Sequence, residues 1–285
     1  MKSNLFVLVP ILAFIGLCTF GCHPKAPAIA NNNIRFDSID IEKTYYLMGK
    51  QENPHCDLRL KYVYPVGGLK PELLKAVQKE FIRAFFGDDS QAVSVPVAAQ
   101  RYAEQYIEDY KALEPDFKKE KEAQHEASDA PLAWYSYYEN ISNEVTYDAG
   151  NLLSFAIDFE NYTGGAHGSQ SYTAFNIDLR TGNQITEADL YNDGYDTELA
   201  KLLVAKLVQN NKVGNPKELE SIGYFSVDEI YPNNNFSIDS TGITYHFNEY
   251  EIAAYAVGRS DVHLSFEEIK PLLKEDNPIA ALVGK

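Results

Sequence analysis

Residues 153–179 read LSFAIDFENYTGGAHGSQSYTAFNIDL, and this stretch decides the fold. Apolar and polar residues alternate from Leu153 to Glu160, before the glycine-rich segment, and again from Thr173 to Leu179, after it. Alternation with a period of two predicts strands that have one buried and one solvent-exposed face. Two such strands joined by a short segment with glycine predict an antiparallel hairpin.

The connecting residues 161–168, NYTGGAHG, are the most unusual local sequence of the chain. Glycine allows the positive φ angles that a connection longer than two residues needs. His167 either contacts a ligand directly or holds the loop in shape by hydrogen bonds to loop carbonyls. The candidate binding residues are Tyr162, Thr163, Gly164, Gly165 and His167.

Strand patterns and helical patterns are mixed along the rest of the chain. Helical spacing of apolar residues follows Pro71 and recurs from about Ala98 to Leu113. Residues 134–147 favour a strand, or a hairpin broken near residues 140–143. Further extended segments are predicted at 39–48, 56–64, 236–247 and 262–266. Because strands and helices do not alternate as βαβ units, we expect an α+β fold: a largely antiparallel sheet with packed helices, in one large domain or two lobes.

The amino terminus has the layout of a secretory signal. Lys2 precedes an apolar run, Leu5–Phe20, that is shorter than the roughly twenty residues of a membrane-spanning helix. The following Gly21-Cys22 is similar to a bacterial lipobox, which predicts lipidation of Cys22; an uncleaved anchor helix is the alternative. Either arrangement holds the protein in the cell envelope, at the outer or the cytoplasmic membrane, facing outside the cytoplasm.

Composition shifts along the chain predict its segments. Residues 24–33 are Ala, Pro and Asn without periodicity, which is typical of a flexible tether. The charged run at 118–128 is typical of an exposed connection. We therefore expect a lipoprotein signal peptide at 1–21, a tether at 22–38, an amino-terminal lobe at 39–130 and a carboxy-terminal lobe at 131–285.

Charge and cysteine content narrow the possible partners. The formal net charge of −16 excludes nucleic acid, whose phosphates require a basic surface. A cationic protein would be attracted, although a surplus of acids also simply keeps exported proteins soluble. With Cys22 acylated, Cys56 has no partner for an intrachain disulfide. His55 is adjacent, but neighbours on a strand point to opposite faces, so Cys56 is predicted to be buried and without a role as nucleophile.

Sequence motifs for catalysis are largely missing. The six histidines do not pair at the short spacings of zinc sites, and no serine-hydrolase motif is present, so no metal, cofactor or catalytic residue is predicted. One catalytic alternative remains. Asp158 and Asp178, on facing strands, could form the paired carboxylates of a glycoside hydrolase, although acids on a solvent-exposed face need no such explanation.

Three stretches resemble a known family: YTGGAHG at 162–168, FNIDLRTG at 175–182 and FNEYEIAAYAVG at 247–258. They are similar to the extracytoplasmic domain-of-unknown-function family 3298 with its amino-terminal companion, family 4163. This pair occurs in RsiV-type anti-sigma factors and in PdaC-type peptidoglycan deacetylases. The resemblance covers roughly residues 45–273 and implies a cell-envelope binding module, because RsiV-type proteins bind lysozyme.

Neither enzymatic nor anti-sigma activity is expected to carry over. The chain has neither the metal motif of the deacetylase domain nor the cytoplasmic sigma-binding segment. The first hypothesis is therefore a non-catalytic, membrane-tethered module that binds a cationic extracytoplasmic protein such as lysozyme, or a cell-wall glycan. The alternatives are a peptidoglycan or polysaccharide hydrolase acting through paired carboxylates, and a structural lipoprotein without a small ligand.

Overall fold

The computed structural model describes residues 30–88, 90, 93–123 and 133–284, which form two sheets flanked by helices. The large sheet contains β1 (Arg35–Tyr46), β2 (His55–Gly67), β3 (Tyr137–Ala149), β4 (Leu152–Tyr162), β5 (Ser169–Asp178) and β6 (Asn183–Gln184). The small sheet contains β7 (Phe236–Ile238), β8 (Gly242–Phe247) and β9 (Ser260–Ser265). The helices are α1 (Pro71–Phe86), α2 (Val95–Lys111), α3 (Glu114–Ala123), α4 (Glu187–Leu190), α5 (Asp196–Asn211), α6 (Phe266–Ile269) and α7 (Ala280–Val283).

The strands of the large sheet lie in sequence order, from β1 to β6. Every neighbouring pair is antiparallel except β2 and β3, which are parallel. Parallel neighbours require a long crossover connection, and α1, α2 and α3 lie within it. The predicted α+β class with a largely antiparallel sheet is confirmed.

The central hairpin of β4 and β5 is also confirmed. Its register runs from Leu152 opposite Asp178 to Asn161 opposite Ser169. One face packs on α1, where the rings of Phe81 and Phe155 stack at 3.9 Å between centroids. The hairpin is therefore the wall of a core that β1, β2, α1 and α2 complete.

The prediction of one wet face along all of β4 is wrong. Ser154 and Ala156 alternate with the core residues Leu153 and Phe155, and all four are equally buried. The small sheet covers Ser154 and Ala156, and Ser154 Oγ lies 3.0 Å from the carbonyl oxygen of Ile238. Along β4, residues 152–157 are buried, and Asp158 is the first residue that is exposed to solvent.

Two asparagine side chains hold the small sheet against β5. Asn176 Oδ1 accepts from the Ile238 N–H at 3.0 Å, and Asn176 Nδ2 donates to the Phe236 carbonyl at 2.7 Å. Asn235 Oδ1 accepts from the Ala174 N–H at 2.8 Å. Asn235 thus satisfies the edge of β5, most of which has no strand partner on this side, and Asn176 satisfies the edge of β7 that faces away from β8.

Several element boundaries differ from the sequence predictions. β3 runs without a break, so the alternative of a hairpin broken near residues 140–143 is wrong. β1 begins at Arg35, within the segment expected to be tether, and β2 continues through Pro65 to Gly67. The pairing of β2 with β3 joins strands from both expected lobes in one sheet. The division at residue 130 stays a prediction, and residues 124–132 lie outside the described ranges.

Residue 30 and the glycine-rich loop lie at opposite ends of the large sheet. Ala30 O accepts from the Gly150 N–H at 3.0 Å, at the turn between β3 and β4. β4 then runs eleven residues to the loop 163–168, a distance of roughly 35 Å. The predicted signal, with Leu5–Phe20 and Cys22, lies outside the described residues. Within the described part of the chain, no helix has both the length and the apolar character needed to cross a bilayer.

Candidate functional site

The open face of the large sheet carries a polar groove close to the hairpin loop. Its floor consists of side chains from β1 to β5, because cross-strand partners point to the same face of a sheet. The first rung, nearer the loop, contains Glu42, Arg59, Asn140, Glu160 and Gln170. The second rung contains Asp40, Lys61, Ser142, Asp158 and Tyr172. The groove over these rungs has a volume of about 440 Å³.

Charge in the groove is arranged in columns that follow the strands. β1 contributes acids, β2 contributes Arg59 and Lys61, β3 contributes neutral groups, and β4 contributes Asp158 and Glu160. Within the described ranges, neither base of β2 has a carboxylate within 4.0 Å. These cations are therefore available to a ligand.

Neighbouring side chains fix the carboxylate of Glu160. The Tyr138 hydroxyl donates to Glu160 Oε1 at 3.0 Å, and Asn140 Nδ2 donates to Oε2 at 3.3 Å. The hydrogen bond to Glu160 and burial together raise the pKa of Tyr138, so the phenol remains a donor. Glu160 is thus positioned by the sheet itself, at the end of the groove that meets the loop.

Arg259 forms one wall of a second pocket, which shares Asp158 and Gln170 with the groove. Its guanidinium lies 4.2 Å from the ring centre of Tyr172, and its Nε lies 3.0 Å from Asp261 Oδ1. Burial acts to raise the pKa of Asp261, but the hydrogen bond and charge of His246 and the Arg259 guanidinium outweigh it, so this pKa lies below its usual value. Asp261 is therefore ionised at neutral pH and holds Arg259 over the ring.

Behind this wall, three side chains have the hydrogen-bond order of a nucleophile triad. His246 lies 2.9 Å from both Ser237 Oγ and Asp261 Oδ1, through Nε2 and Nδ1 respectively. In a triad with an attacking serine, the serine end is open to the substrate and the acid is buried. Here the order is reversed, because His246 is only 5% exposed and Asp261 is the solvent-exposed end. The Ile238 N–H, next to Ser237, is already bound by Asn176 Oδ1 and is therefore not free to stabilise an oxyanion. We assign the three residues the role of supporting Arg259.

The predicted binding residues lie together in the hairpin loop. Tyr162 donates its hydroxyl to Gly165 O at 2.9 Å, and His167 Nδ1 lies 2.7 Å from Gly168 O. Gly164 and Gly165 have φ angles of 87° and 108°, which explains the glycines. Both polar side chains thus stabilise the loop, and the Thr163 side chain is exposed. Their contact with a ligand stays a prediction.

Aromatic side chains from distant parts of the sequence surround this loop. The His167 ring stacks on Tyr255 at 4.1 Å, and its Nε2 lies 3.4 Å from the Tyr250 hydroxyl. Trp134, whose carbonyl meets Gly164, is 64% exposed, Tyr250 is 56% exposed and Tyr255 is 36% exposed. We call these three residues with the loop the aromatic tip. Sequence reasoning missed all three as site residues, because no local pattern connects them with the loop.

The predicted pair of Asp158 and Asp178 does not form. Asp158 lies opposite Tyr172 and Asp178 lies opposite Leu152, six residues away along β4. This separation is roughly 20 Å, well beyond the 5 to 9.5 Å that a pair of hydrolytic carboxylates requires. Asp178 is instead bound by Arg180 at 2.8 Å. Over the described ranges, no group of three or more His, Cys, Asp or Glu side chains is arranged to hold a metal ion.

Cys56 is buried, as predicted, in a cluster with Leu47, Tyr110 and Phe117. Burial raises the pKa of its thiol to about 11, so the thiol is protonated at neutral pH. His55 lies on the other face of β2, where its Nε2 is 3.2 Å from Asp57. The two neighbouring residues therefore do not form a nucleophile and base.

Comparison with known families matches two parts of the chain. Residues 188–267 match the family described as "Protein of unknown function (DUF3298)". Residues 50–170 match the family described as "Deacetylase PdaC". These matches confirm the resemblance expected from the sequence. A search of curated proteins finds no match.

Two solved structures are similar to this chain. A crystal structure of a DUF3298 family member from Bacteroides fragilis NCTC 9343 is 32% identical, with a TM-score of 0.83, over 89% of this chain and 99% of that chain. A DUF3298 family protein from Pseudomonas aeruginosa PAO1 is 14% identical, with a TM-score of 0.58, over 85% of this chain and 96% of that chain. At the lower identity, the likeness concerns the fold alone.

Proposed function

Because the chain belongs to the DUF3298 family, whose description states no function, we propose from its geometry that the protein is a non-catalytic recognition module of the cell envelope. In this proposal the lipid on Cys22 holds the module at a membrane, and the aromatic tip binds a cationic extracytoplasmic protein of the lysozyme type. Recognition, without turnover, is the role.

One observation supports the proposal: residue 30, which leads into the large sheet, and the aromatic tip lie at opposite ends of that sheet. Residue 30 meets the turn before β4, and the loop follows the end of β4, roughly 35 Å away. A chain anchored through its amino terminus would thus present the tip away from the membrane, where a soluble partner has access to it.

The chemistry of the tip suits a protein partner. Trp134, Tyr250 and Tyr255 are large and exposed, and tryptophan and tyrosine are the residues that most often dominate binding energy in interfaces. Tyr250 also adopts a left-handed backbone conformation, with φ of 65°, which is unfavourable for a bulky residue. The net charge of −16 would speed the approach of a basic protein.

A cell-wall glycan is the second candidate, and one observation favours it. The ring of Tyr162 stacks on Tyr138 at 6.2 Å, and Tyr138 also donates to Glu160. An aromatic face beside a fixed carboxylate suits a sugar ring, whose C–H groups pack on the aromatic face and whose hydroxyls donate to the acid.

Lysozyme inhibition tests the first candidate. The full chain in detergent should slow the clearing of a bacterial cell-wall suspension by lysozyme, and added salt should weaken the effect, since it screens attraction between charges. Tyr250→Ser should reduce the apparent affinity at least tenfold. Tyr231→Ser is the matched control, because Tyr231 is 53% exposed but lies in a separate groove beside α5. Lysozyme activity that is unchanged by a large molar excess of the chain would remove this partner.

The anchor and the glycan need their own measurements. Cells given a labelled fatty acid should label the chain, and Cys22→Ser should abolish the label; an unlabelled chain in the cytosol contradicts the proposed location.

Soluble cell-wall oligosaccharides should bind more weakly to Tyr162→Ser if the glycan is the ligand, and lysozyme inhibition should then be absent.

A further inference from the structure

The groove and the aromatic tip are separate surfaces, and the arrangement of charge in the groove points to a ligand of its own. On the outer side of the groove, β1 contributes the acids Asp40 and Glu42. The bases Arg59 and Lys61 form the next column, and the acids Asp158 and Glu160 form another. Between them lies only β3, which contributes the short neutral side chains of Asn140 and Ser142. Two strand spacings separate the charged columns by about 10 Å.

A ligand of a single charge fits this arrangement poorly. An anion over β3 would be attracted by the column of β2 but repelled by the column of β4, and a cation would experience the reverse. A ligand with negative groups on one side and positive groups on the other satisfies both columns at once. Because the bases are not engaged by carboxylates of the described chain, such a ligand would not have to break ion pairs.

The spacing along the groove identifies the class of ligand. Arg59 and Lys61 are two residues apart, as are Asp158 and Glu160, so equal charges repeat every roughly 7 Å. An extended peptide has the same repeat, and its successive side chains point to opposite sides. We infer that the groove binds an extended peptide segment with alternating acidic and basic side chains, lying over β3 with its acids toward β2 and its bases toward β4.

Two peptides of identical composition test this inference. In an extended conformation, acetyl-Glu-Lys-Glu-Lys-Glu-Lys-amide has its acids on one side and its bases on the other. Acetyl-Glu-Glu-Glu-Lys-Lys-Lys-amide has the same net charge but mixes acids and bases on both sides. With a fluorescent label and the full chain in detergent, the alternating peptide should bind at least tenfold more tightly at low salt. Equal affinity for the two peptides, or no binding of either at millimolar concentration, would overturn the inference.

Variants on both columns test where the peptide lies. Lys61→Met and Asp158→Asn should each weaken binding of the alternating peptide at least fivefold, and circular dichroism should show that both remain folded. Lys75→Met is the matched control, since Lys75 is exposed on α1, outside the groove. If either groove variant binds the peptide as the unaltered chain does, the assignment is wrong. Tyr250→Ser should leave peptide affinity unchanged, which separates failure of this inference from failure of the proposed role of the tip.

Discussion

The asparagine that joins the two sheets makes a sharp prediction about stability. Asn176 is 1% exposed, and its Oδ1 accepts from Ser154 Oγ at 2.8 Å and from the Ile238 N–H at 3.0 Å. Its Nδ2 donates to the Phe236 carbonyl at 2.7 Å. The substitution Asn176→Asp retains the size of the side chain and both accepted bonds, but it places a second oxygen against that carbonyl.

The expected loss follows from these contacts. A buried carbonyl left without its donor costs about 1–3 kcal/mol. Burying a carboxylate without a cation costs several kcal/mol more, of which the two retained hydrogen bonds recover a part. We therefore expect the free energy of unfolding at pH 7 to fall by about 3–5 kcal/mol. Burial raises the folded-state pKa of the new carboxyl above its unfolded value of about 4, so the loss should shrink as the pH falls from 7 toward 4 and should be smallest below about pH 4, where the protonated group can donate to Phe236 O.

Urea denaturation at pH 7 and at acidic pH measures both effects. Asn183→Asp introduces the same chemical change at an exposed position of β6, and it should alter the free energy of unfolding by no more than about 0.5 kcal/mol. The reasoning is refuted if Asn176→Asp loses less than about 1 kcal/mol at pH 7, or if its loss is the same at both pH values.

Four further substitutions have outcomes fixed by local structure. A hydrogen bond from Lys206 lowers the pKa of Glu268 to about 2, so its stabilisation is complete above pH 4.5 and is lost as the pH falls toward 2; Glu268→Gln should flatten the pH dependence of the unfolding midpoint in that window. Burial raises the pKa of Glu139, which disfavours the charged form. Relative to the unaltered chain, Glu139→Gln should therefore change the thermal midpoint more favourably at pH 7 than at pH 4. Gly165→Ala should cost about 1 kcal/mol for its positive φ, and Gly164→Ala should cost more, because its Cβ would also lie 2.8 Å from a backbone oxygen; urea denaturation ranks them.

Elements that depend on nearby residues could be predicted from the sequence. Pro71 stands in the first turn of α1, as expected for a residue without an N–H. Ser265 and Glu268, three residues apart, form a capping box at the start of α6, with the Glu268 carboxylate accepting from the Ser265 N–H at 2.8 Å. The hairpin of β4 and β5 forms around the glycine-rich loop. In each case the deciding contacts lie within a short stretch of chain.

Burial by residues that are distant in the sequence could not be predicted. The alternation of β4 reports that its two faces differ, but it does not report that the small sheet covers Ser154 and Ala156. For the same reason Asn176, which alternates with apolar neighbours as a solvent-exposed residue would, is buried and bonded to β7. The supposed pair of Asp158 and Asp178 failed because only the register of the hairpin determines which residues face each other.

The candidate site was predicted in part for the same physical reason. The loop residues are adjacent in sequence, whereas Tyr250 and Tyr255 reach His167 from more than eighty residues away. The rungs of the groove combine five strands, and the long crossover between β2 and β3 hides their alignment. No pattern in the sequence of β2 distinguishes Arg59 and Lys61 from ordinary solvent-exposed residues of a strand.

The unpaired charges of the groove are not explained by stability. A cross-strand ion pair such as Glu42 with Arg59 would contribute only about 0.2–1 kcal/mol if it formed, so the fold loses little by leaving it open. The same groups can contribute more to the free energy of binding a ligand, because strand register fixes their spacing before binding and little further ordering is required. A rigid sheet can thus hold two columns of opposite charge at a fixed separation, which a mobile loop could not. This difference is why we assign the groove, and not the loop alone, a role in recognition.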